Sequence, residues 1–198
     1  MTAVRGENQG ATLLSSYAPT RGLKHLYNET KIWEACRATS AASTYFDPIE
    51  VGSFKEKFVD GGLKTNNPVK EVWLQARDLW GTDSADFQER VGCFVSIGTG
   101  ISRNGYISNS LKDILSALQA IATETEDTAE DFERNNRVLH RDNRYFRWNV
   151  DMGMGDIGLD EYDRLNDIMA ATAEYMKRER RHQEVTKCAG QLLNDECN

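Results

Sequence analysis

At 198 residues the chain has the length of one domain, or of one large piece of a bigger one. Its 24 Lys+Arg against 31 Asp+Glu leave a formal net charge of −7, which disfavours general attraction to phosphate backbones and argues against a nucleic-acid partner. With 39% hydrophobic and 28% charged residues the composition is that of a core-forming globular chain, and no apolar run approaches the ~18 residues of a membrane span.

Met1-Thr2-Ala3-Val4-Arg5-Gly6-Glu7-Asn8 lacks the basic and apolar regions of a secretory signal. Cys36, Cys93, Cys188 and Cys197 are scattered, with no Cys-x-x-Cys pair, and His25, His140 and His182 share no helical metal spacing. The expectation is a cytoplasmic protein with neither a metal nor a redox dithiol.

Along the chain, Ala11 to Arg21 reads as turn-rich. Thr30 then stands as N-cap of a helix over Lys31 to Ala42, a stretch free of Gly and Pro. Ser43 to Ile49 switches to aromatic and β-branched residues, and Phe54 to Val59 forms a short strand stopped by Asp60-Gly61-Gly62. Asn67-Pro68 opens a helix whose Val69, Val72, Trp73, Ala76 and Trp80 recur at helical spacing until Gly81. Val91 to Ile97 has the look of a buried parallel strand closed by the Gly98-Thr99-Gly100 turn. A helix with Leu111, Ile114, Leu115, Leu118 and Ala122 on one face follows, and then a half-buried strand over Tyr145 to Val150. Asp160 caps a helix carrying Leu165, Ile168, Met169, Thr172 and Met176, and Val185, Cys188, Ala189 and Leu192 mark the last one. Helices separated by short strands give an α/β class.

The densest chemical signal is Phe58-Val59-Asp60-Gly61-Gly62 followed by Asn66-Asn67-Pro68. It places a carboxylate at a strand end, in a glycine turn, ahead of a helix, where sites in α/β folds collect. Taken alone, these residues fit either a carboxylate facing a nucleophile from elsewhere in the fold or a capping Asp in an ordinary turn.

The segment Ile32-Trp33-Glu34-Ala35-Cys36-Arg37-Ala38-Thr39-Ser40-Ala41-Ala42, continuing through Tyr45-Phe46-Asp47-Pro48-Ile49, joins Phe58 to Leu63 and Asn66-Asn67-Pro68 in a recognisable order. It resembles the second half of a patatin-like phospholipase domain. Val95 to Gly100 is similar to the family's next core strand and turn, and Tyr145 to Val150 with Leu159-Asp160-Glu161-Tyr162 is similar to the tail of fungal-type members. The resemblance implies a three-layer α/β/α fold and a lipid acyl hydrolase with a Ser-Asp dyad and no cofactor. The serine attacks the ester carbonyl, the aspartate is its general base, and backbone N–H groups hold the oxyanion. On this chain the implied base is Asp60, presented by Gly61 and Gly62.

Residues 1–198 then read as the C-terminal portion of one such domain, with an Asp-Gly-Gly half over roughly 1–100 and a helical tail over roughly 101–198. Neither a glycine-rich oxyanion loop nor a Gly-x-Ser-x-Gly elbow occurs in the sequence, so the nucleophile half is expected to be missing and the chain to be inactive alone. Ser43 stands where the family usually has proline. The partners implied are a lipid or acyl ester substrate, peripheral contact with a membrane, and the N-terminal half of the domain. The rival reading is a non-catalytic binding or regulatory fragment of a multidomain patatin-like protein, and a third is a nucleotide binder using Gly98 to Gly100.

Other residues carry weaker signals. Ser40 imitates an elbow serine, yet it lies near a helix end, where its hydroxyl is expected to bond to backbone. Ser96 lacks the preceding glycine of an elbow. Arg134, Arg137, Arg141 and Arg144 would line one side of a helix, and the acidic residues before them make a solvated, salt-bridged surface the expectation. Trp33, Trp73, Trp80 and Trp148 are expected in the core or packed between helices.

Overall fold

The structure is a computed structural model. It describes residues 1–6, 10–19, 23–42, 45–81, 84–101, 112–154, 157–158 and 161–194, with side chains undescribed at 84–86, 112–123 and 194. The chain divides into two compact units, Met1–Leu79 and Trp80–Asn198.

The first unit is built on a four-stranded sheet. Strands β1 (Thr2–Arg5), β2 (Ala11–Leu13), β3 (Ile49–Val51) and β4 (Glu56–Asp60) lie in the order β2-β1-β4-β3, and each adjacent pair is antiparallel. Side chains alternate along a strand, so Ala3 and Phe58 bury one face of the sheet and Val4 and Val59 the other. Helices α1 (Lys24–Glu29) and α2 (Ile32–Thr39) close the first face: Leu26 and Ala38 join Ala3, Leu14, Val51 and Phe58 in one core cluster. The one-turn helix α3 (Gly62–Thr65) and the longer α4 (Val69–Trp80) follow the Asp-Gly-Gly turn. The start of α4 is capped as its sequence requires, because Asn67 Oδ1 accepts the Val69 N–H at 3.2 Å. Val69 and Trp73 are the buried side of α4, whereas Val72 and Trp80 are exposed.

At the far end of β4 from Asp60, Glu56 accepts hydrogen bonds from Arg5 Nη1 (2.8 Å) and pairs with His25 Nε2, tying α1 to the sheet. The His25 hydrogen bond, reinforced by Arg5 and opposed by partial burial, holds the Glu56 carboxyl below its ordinary value.

The second unit contains α5 (Ser84–Arg90), β5 (Phe94–Ile97), α6 (Lys112–Asn135), α7 (Arg137–Arg141), β6 (Tyr145–Trp148), a 3-10 turn at Tyr162–Arg164, α8 (Leu165–Met176) and α9 (Glu179–Asn194). Strands β5 and β6 pair in parallel, Phe94 opposite Tyr145 through Ile97 opposite Trp148. Helices cover both faces of the pair. Phe132 of α6 meets Tyr145 and Phe94 at ring-centroid distances of 5.1 and 5.4 Å, and on the other face Trp148 Nε1 donates to Glu184 Oε2 of α9 at 3.3 Å. Tyr175 of α8 is buried, accepts the Asn149 N–H at 3.3 Å, and lies under the Arg181 guanidinium at 4.6 Å. Helices and sheets therefore mix in the α/β manner the sequence implies.

Several expectations change. Thr30 is not the N-cap of α2: it ends α1, and Lys31 takes the cap position with its N–H donated to Glu34 Oε2 at 2.8 Å. Glu34 supplies the N3 half of a capping box, accepting the N-cap N–H, while Lys31 makes no side-chain cap bond of its own. The strand over Val91 to Ile97 is parallel but shorter and less buried than expected, since Ile97 is 76% exposed. The tail strand is the reverse case: Tyr145 and Phe146 are both buried, not alternately so, because helices lie on both sides. Trp73 is in the core, but Trp33 and Trp80 are exposed. The apolar side expected of α8 is also largely exposed, with Leu165, Met169 and Met176 open to solvent while Tyr175 is the buried residue. Ser43, Leu111, Asp160 and Cys197 lie outside the described residues.

The arginine stripe does not form. The helix breaks at Asn136, whose side-chain N–H caps back onto Phe132 O at 2.9 Å, so Arg134 and Arg137 belong to different helices. Arg144 instead turns inward and donates to the carbonyl oxygens of Gln88 (2.6 Å), Val91 (2.8 Å) and Glu89 (3.3 Å). Nη1 is shared among these carbonyls while Nη2 donates to Asp142 Oδ2 at 3.2 Å, two sites that the single nitrogen of an ammonium does not span. The outer arginines do make the salt-bridged surface expected, Arg134 with Asp131 and Arg141 with Asp142.

Arg144→Ala is expected to destabilise the chain by about 2–3 kcal/mol, with little rescue by lysine, because partly buried carbonyls lose a charged donor; urea unfolding measures it. Glu56 gives a pH dependence. Its depressed folded value means that its stabilisation is present above the ordinary carboxylate range and is lost as pH falls through the folded value. Thermal unfolding between neutral and acid pH should show that loss, and Glu56→Gln should be less stable at neutral pH and lack that part of the acid dependence.

Candidate active site

Asp60 is the last residue of β4, and the chain bends directly after it. Its Oδ1 accepts the Gly62 N–H at 2.6 Å, an Asx-type bond that fixes the carboxylate over the turn. Among the described residues Oδ2 takes no hydrogen bond, and the side chain is half-buried. Gly61 is required by space: a Cβ there would fall on the Thr2 carbonyl oxygen, a backbone atom of β1. Gly62 packs against Asp60 Oδ1 and Asn66 Oδ1, at 3.0 and 3.4 Å from where its Cβ would stand. Both glycines thus serve close approach, and both have a specific neighbour.

The Ala-Thr-Ser-Ala-Ala stretch at the end of α2 holds this turn in place. Ala38 and Ala41 are fully buried, and small side chains at those positions let the helix end settle on the sheet. The Ala41 carbonyl accepts the Asp60 N–H at 3.0 Å, and Thr39 Oγ1 donates to the Thr2 carbonyl at 2.6 Å. With Ala3 paired opposite Asp60, two segments distant in sequence, β1 and the end of α2, converge on that residue. Asp60, Gly61 and Gly62 stand out in the sequence, whereas Thr2 and Thr39 carry no motif there. A hydroxyl one position before an elbow-like serine was the available signal.

The competing residues fall into structural roles. Ser40 Oγ donates to Cys36 O at 2.9 Å, the intrahelical back-bond expected of it. Ser96 Oγ accepts from Arg147 Nη1 at 3.0 Å, and Arg147 also pairs with Glu126 at 2.7 Å. The Gly98-Thr99-Gly100 turn is occupied by protein: Asn149 Oδ1 accepts the Gly100 N–H at 2.7 Å, while Asn149 Nδ2 donates to Glu126 Oε1 at 2.8 Å. A Cβ at Gly98 would collide with that Asn149 amide, and Gly100 sits at φ +108°. The amide a phosphate would need is already engaged, so these glycines serve packing and turn geometry. Among the described residues, no group of three or more His, Cys, Asp or Glu is arranged to hold a metal ion, and no helix is long and apolar enough to cross a membrane.

Comparisons with known proteins point the same way. Residues 2–73 match the family model for patatin-like phospholipase, a span that runs from β1 through the Asp60 turn into α4. The chain is 30% identical over 197 residues to the calcium-independent phospholipase A2-gamma of Oryctolagus cuniculus, which covers 94% of this chain and 23% of that protein. It is 30% identical over 197 residues to the protein of the same name from Homo sapiens, covering 94% and 24% respectively. To phospholipase A I of Arabidopsis thaliana it is 37% identical over 70 residues, 35% of this chain and 5% of that one. The chain spans less than a quarter of the length of each of these relatives. With the matched segment building the Asp-Gly-Gly turn and the likeness running on through the second unit, the chain belongs to the patatin-like phospholipase family.

Proposed function

We propose that this chain supplies the carboxylate part of a lipid acyl hydrolase, with Asp60 as the general base of a Ser-Asp dyad. The observation that carries the reading is the geometry of that carboxylate. Oδ1 is bound by the Gly62 N–H, so the side chain is oriented before any substrate arrives, and Oδ2 is left to accept a proton. In the reaction, the serine hydroxyl proton passes to Oδ2 as the serine oxygen attacks the ester carbonyl. The alcohol departs with that proton, and water then releases the acyl group, its proton passing through the restored carboxylate back to the serine oxygen. No Gly-x-Ser-x-Gly elbow occurs in residues 1–198, so the serine and the oxyanion donors come from a segment outside this sequence. The substrate class is phospholipid or related acyl ester, as the names of the relatives suggest. Such a substrate brings the protein to a membrane surface without a spanning helix.

The test is hydrolysis of a short-chain p-nitrophenyl ester by the chain alone and by a form extended upstream through a serine elbow. The extended form is expected to be active and the chain alone inactive. In the extended form Asp60→Asn is expected to lower kcat by about 10²–10⁴-fold. Activity of the chain alone would overturn the division of the dyad, and full activity of the Asp60→Asn protein would overturn the base. No activity in either form would leave the non-catalytic fragment as the reading to adopt. Gly61→Ala is expected to cost about 1–3 kcal/mol by driving a methyl group onto the Thr2 carbonyl, and a lowered Tm together with reduced activity of the extended form would register it.

A further inference from the structure

Two cysteines that sequence spacing keeps apart meet in the second unit. Cys93 lies just before β5 and Cys188 in α9, yet their sulfurs stand 3.6 Å apart. Neither is in a disulfide. Cys188 is 5% exposed, whereas Cys93 is partly open to solvent. We propose that Cys93 and Cys188 form an oxidisable pair, a modification site at which a low-molecular-weight disulfide such as oxidised glutathione installs a cross-link between the start of β5 and α9.

The asymmetry in exposure orders the chemistry. Cys93 is the sulfur a small disulfide can reach. Its thiolate attacks one sulfur of oxidised glutathione, forming a mixed disulfide and expelling one glutathione thiolate. Cys188 has no such access, but it lies against Cys93. Its thiolate attacks the Cys93 sulfur of the mixed disulfide, closing the protein disulfide and expelling the second glutathione. Two protein thiols are oxidised, one glutathione disulfide is reduced to two thiols, and the two thiol protons go to the two leaving thiolates. To reach the bonded separation of about 2.05 Å the sulfurs must close by roughly 1.5 Å, a shift within the reach of side-chain rotation on two short residues.

The surroundings hold the two sulfurs in register. Arg144 fastens the segment before Cys93 through the Gln88, Glu89 and Val91 carbonyls. On the other side, Trp148 of β6 bonds Glu184, one turn before Cys188 on α9. The cysteines are 95 positions apart in sequence, so a bond between them closes most of the second unit into one loop and ties its last helix to its sheet. Such a long loop constrains the unfolded chain strongly. Cys36, by contrast, is exposed in the other unit and is not part of the pair.

The test uses the full chain carrying Cys36→Ser and Cys197→Ser, so that Cys93 and Cys188 are the thiols left. The protein is incubated with oxidised glutathione, remaining thiols are alkylated, and the product is read by intact mass and by non-reducing peptide mapping. The expected product has lost two hydrogens, takes up no alkylating agent, carries no glutathione, and yields a Cys93–Cys188 linked peptide. Adding Cys188→Ser should stop the reaction at a single glutathione adduct on Cys93, while adding Cys93→Ser should leave Cys188 unmodified. Two independent adducts, two alkylatable thiols after prolonged oxidation, or cross-linking only between molecules would overturn the proposal. The parent chain with all four cysteines should give the same linked peptide. A Cys36 linkage there in preference to Cys93–Cys188 would overturn it equally.

Discussion

The close seat of α2 on the first-unit sheet is the contact on which the candidate site depends. Ala38 and Ala41 are fully buried there, and the distance they permit lets the Ala41 carbonyl reach the Asp60 N–H. A larger side chain at either position would lift the helix end and unpair a backbone amide at a strand terminus, which is costly away from water. Thr39 adds a second tie by donating to the Thr2 carbonyl, the same group that leaves no room for a Cβ at Gly61. One carbonyl therefore constrains both the helix end and the turn. The position of Asp60 follows from packing and backbone bonds together, not from its own side chain alone.

The second unit uses a different device for the same end. A two-stranded parallel sheet is small, and polar side chains reinforce it. Arg147 joins Ser96 across the strands to Glu126 on α6, and Asn149 joins the turn after β5 to the same Glu126 oxygen. Charge-assisted bonds of this kind are stronger than neutral ones and fix orientation as well as distance. They account for Arg147 facing inward on a strand where alternation alone would have allowed a solvent-facing residue.

Local chemistry made much of this legible in the sequence. Asn67-Pro68 announced α4, Asp60-Gly61-Gly62 announced the end of β4, and the helical back-bond of Ser40 followed from its place near a helix end. What stayed hidden was whatever depended on residues far apart. Helix α1 is only six residues long and has no side-chain cap, so it carries no periodic signal. Lys31 replaced Thr30 as cap because Glu34, three positions on, provided the acceptor. Arg144 looked like a member of a basic stripe until the break at Asn136 turned it toward the carbonyls before β5. Cys93 and Cys188 showed no motif because their proximity is a product of tertiary packing. The aspartate was visible as a turn residue, and the chemical role proposed for it rests on the resemblance, since the turn by itself leaves that role open.

Strand β4 carries two carboxylates that its geometry keeps electrically separate. Glu56 and Asp60 lie on the same face, four residues apart, which at the rise of an extended strand is about 13 Å. At physiological ionic strength the screening length is about 8 Å, and Glu56 is already paired with Arg5 and His25. Protonating that cluster at acid pH loosens the attachment of α1 but scarcely alters the field at the other end of the strand. The acid sensitivity that Glu56 gives the fold is thus seated at the end of the strand away from the Asp60 turn, and a substitution at Glu56 addresses it without touching that turn.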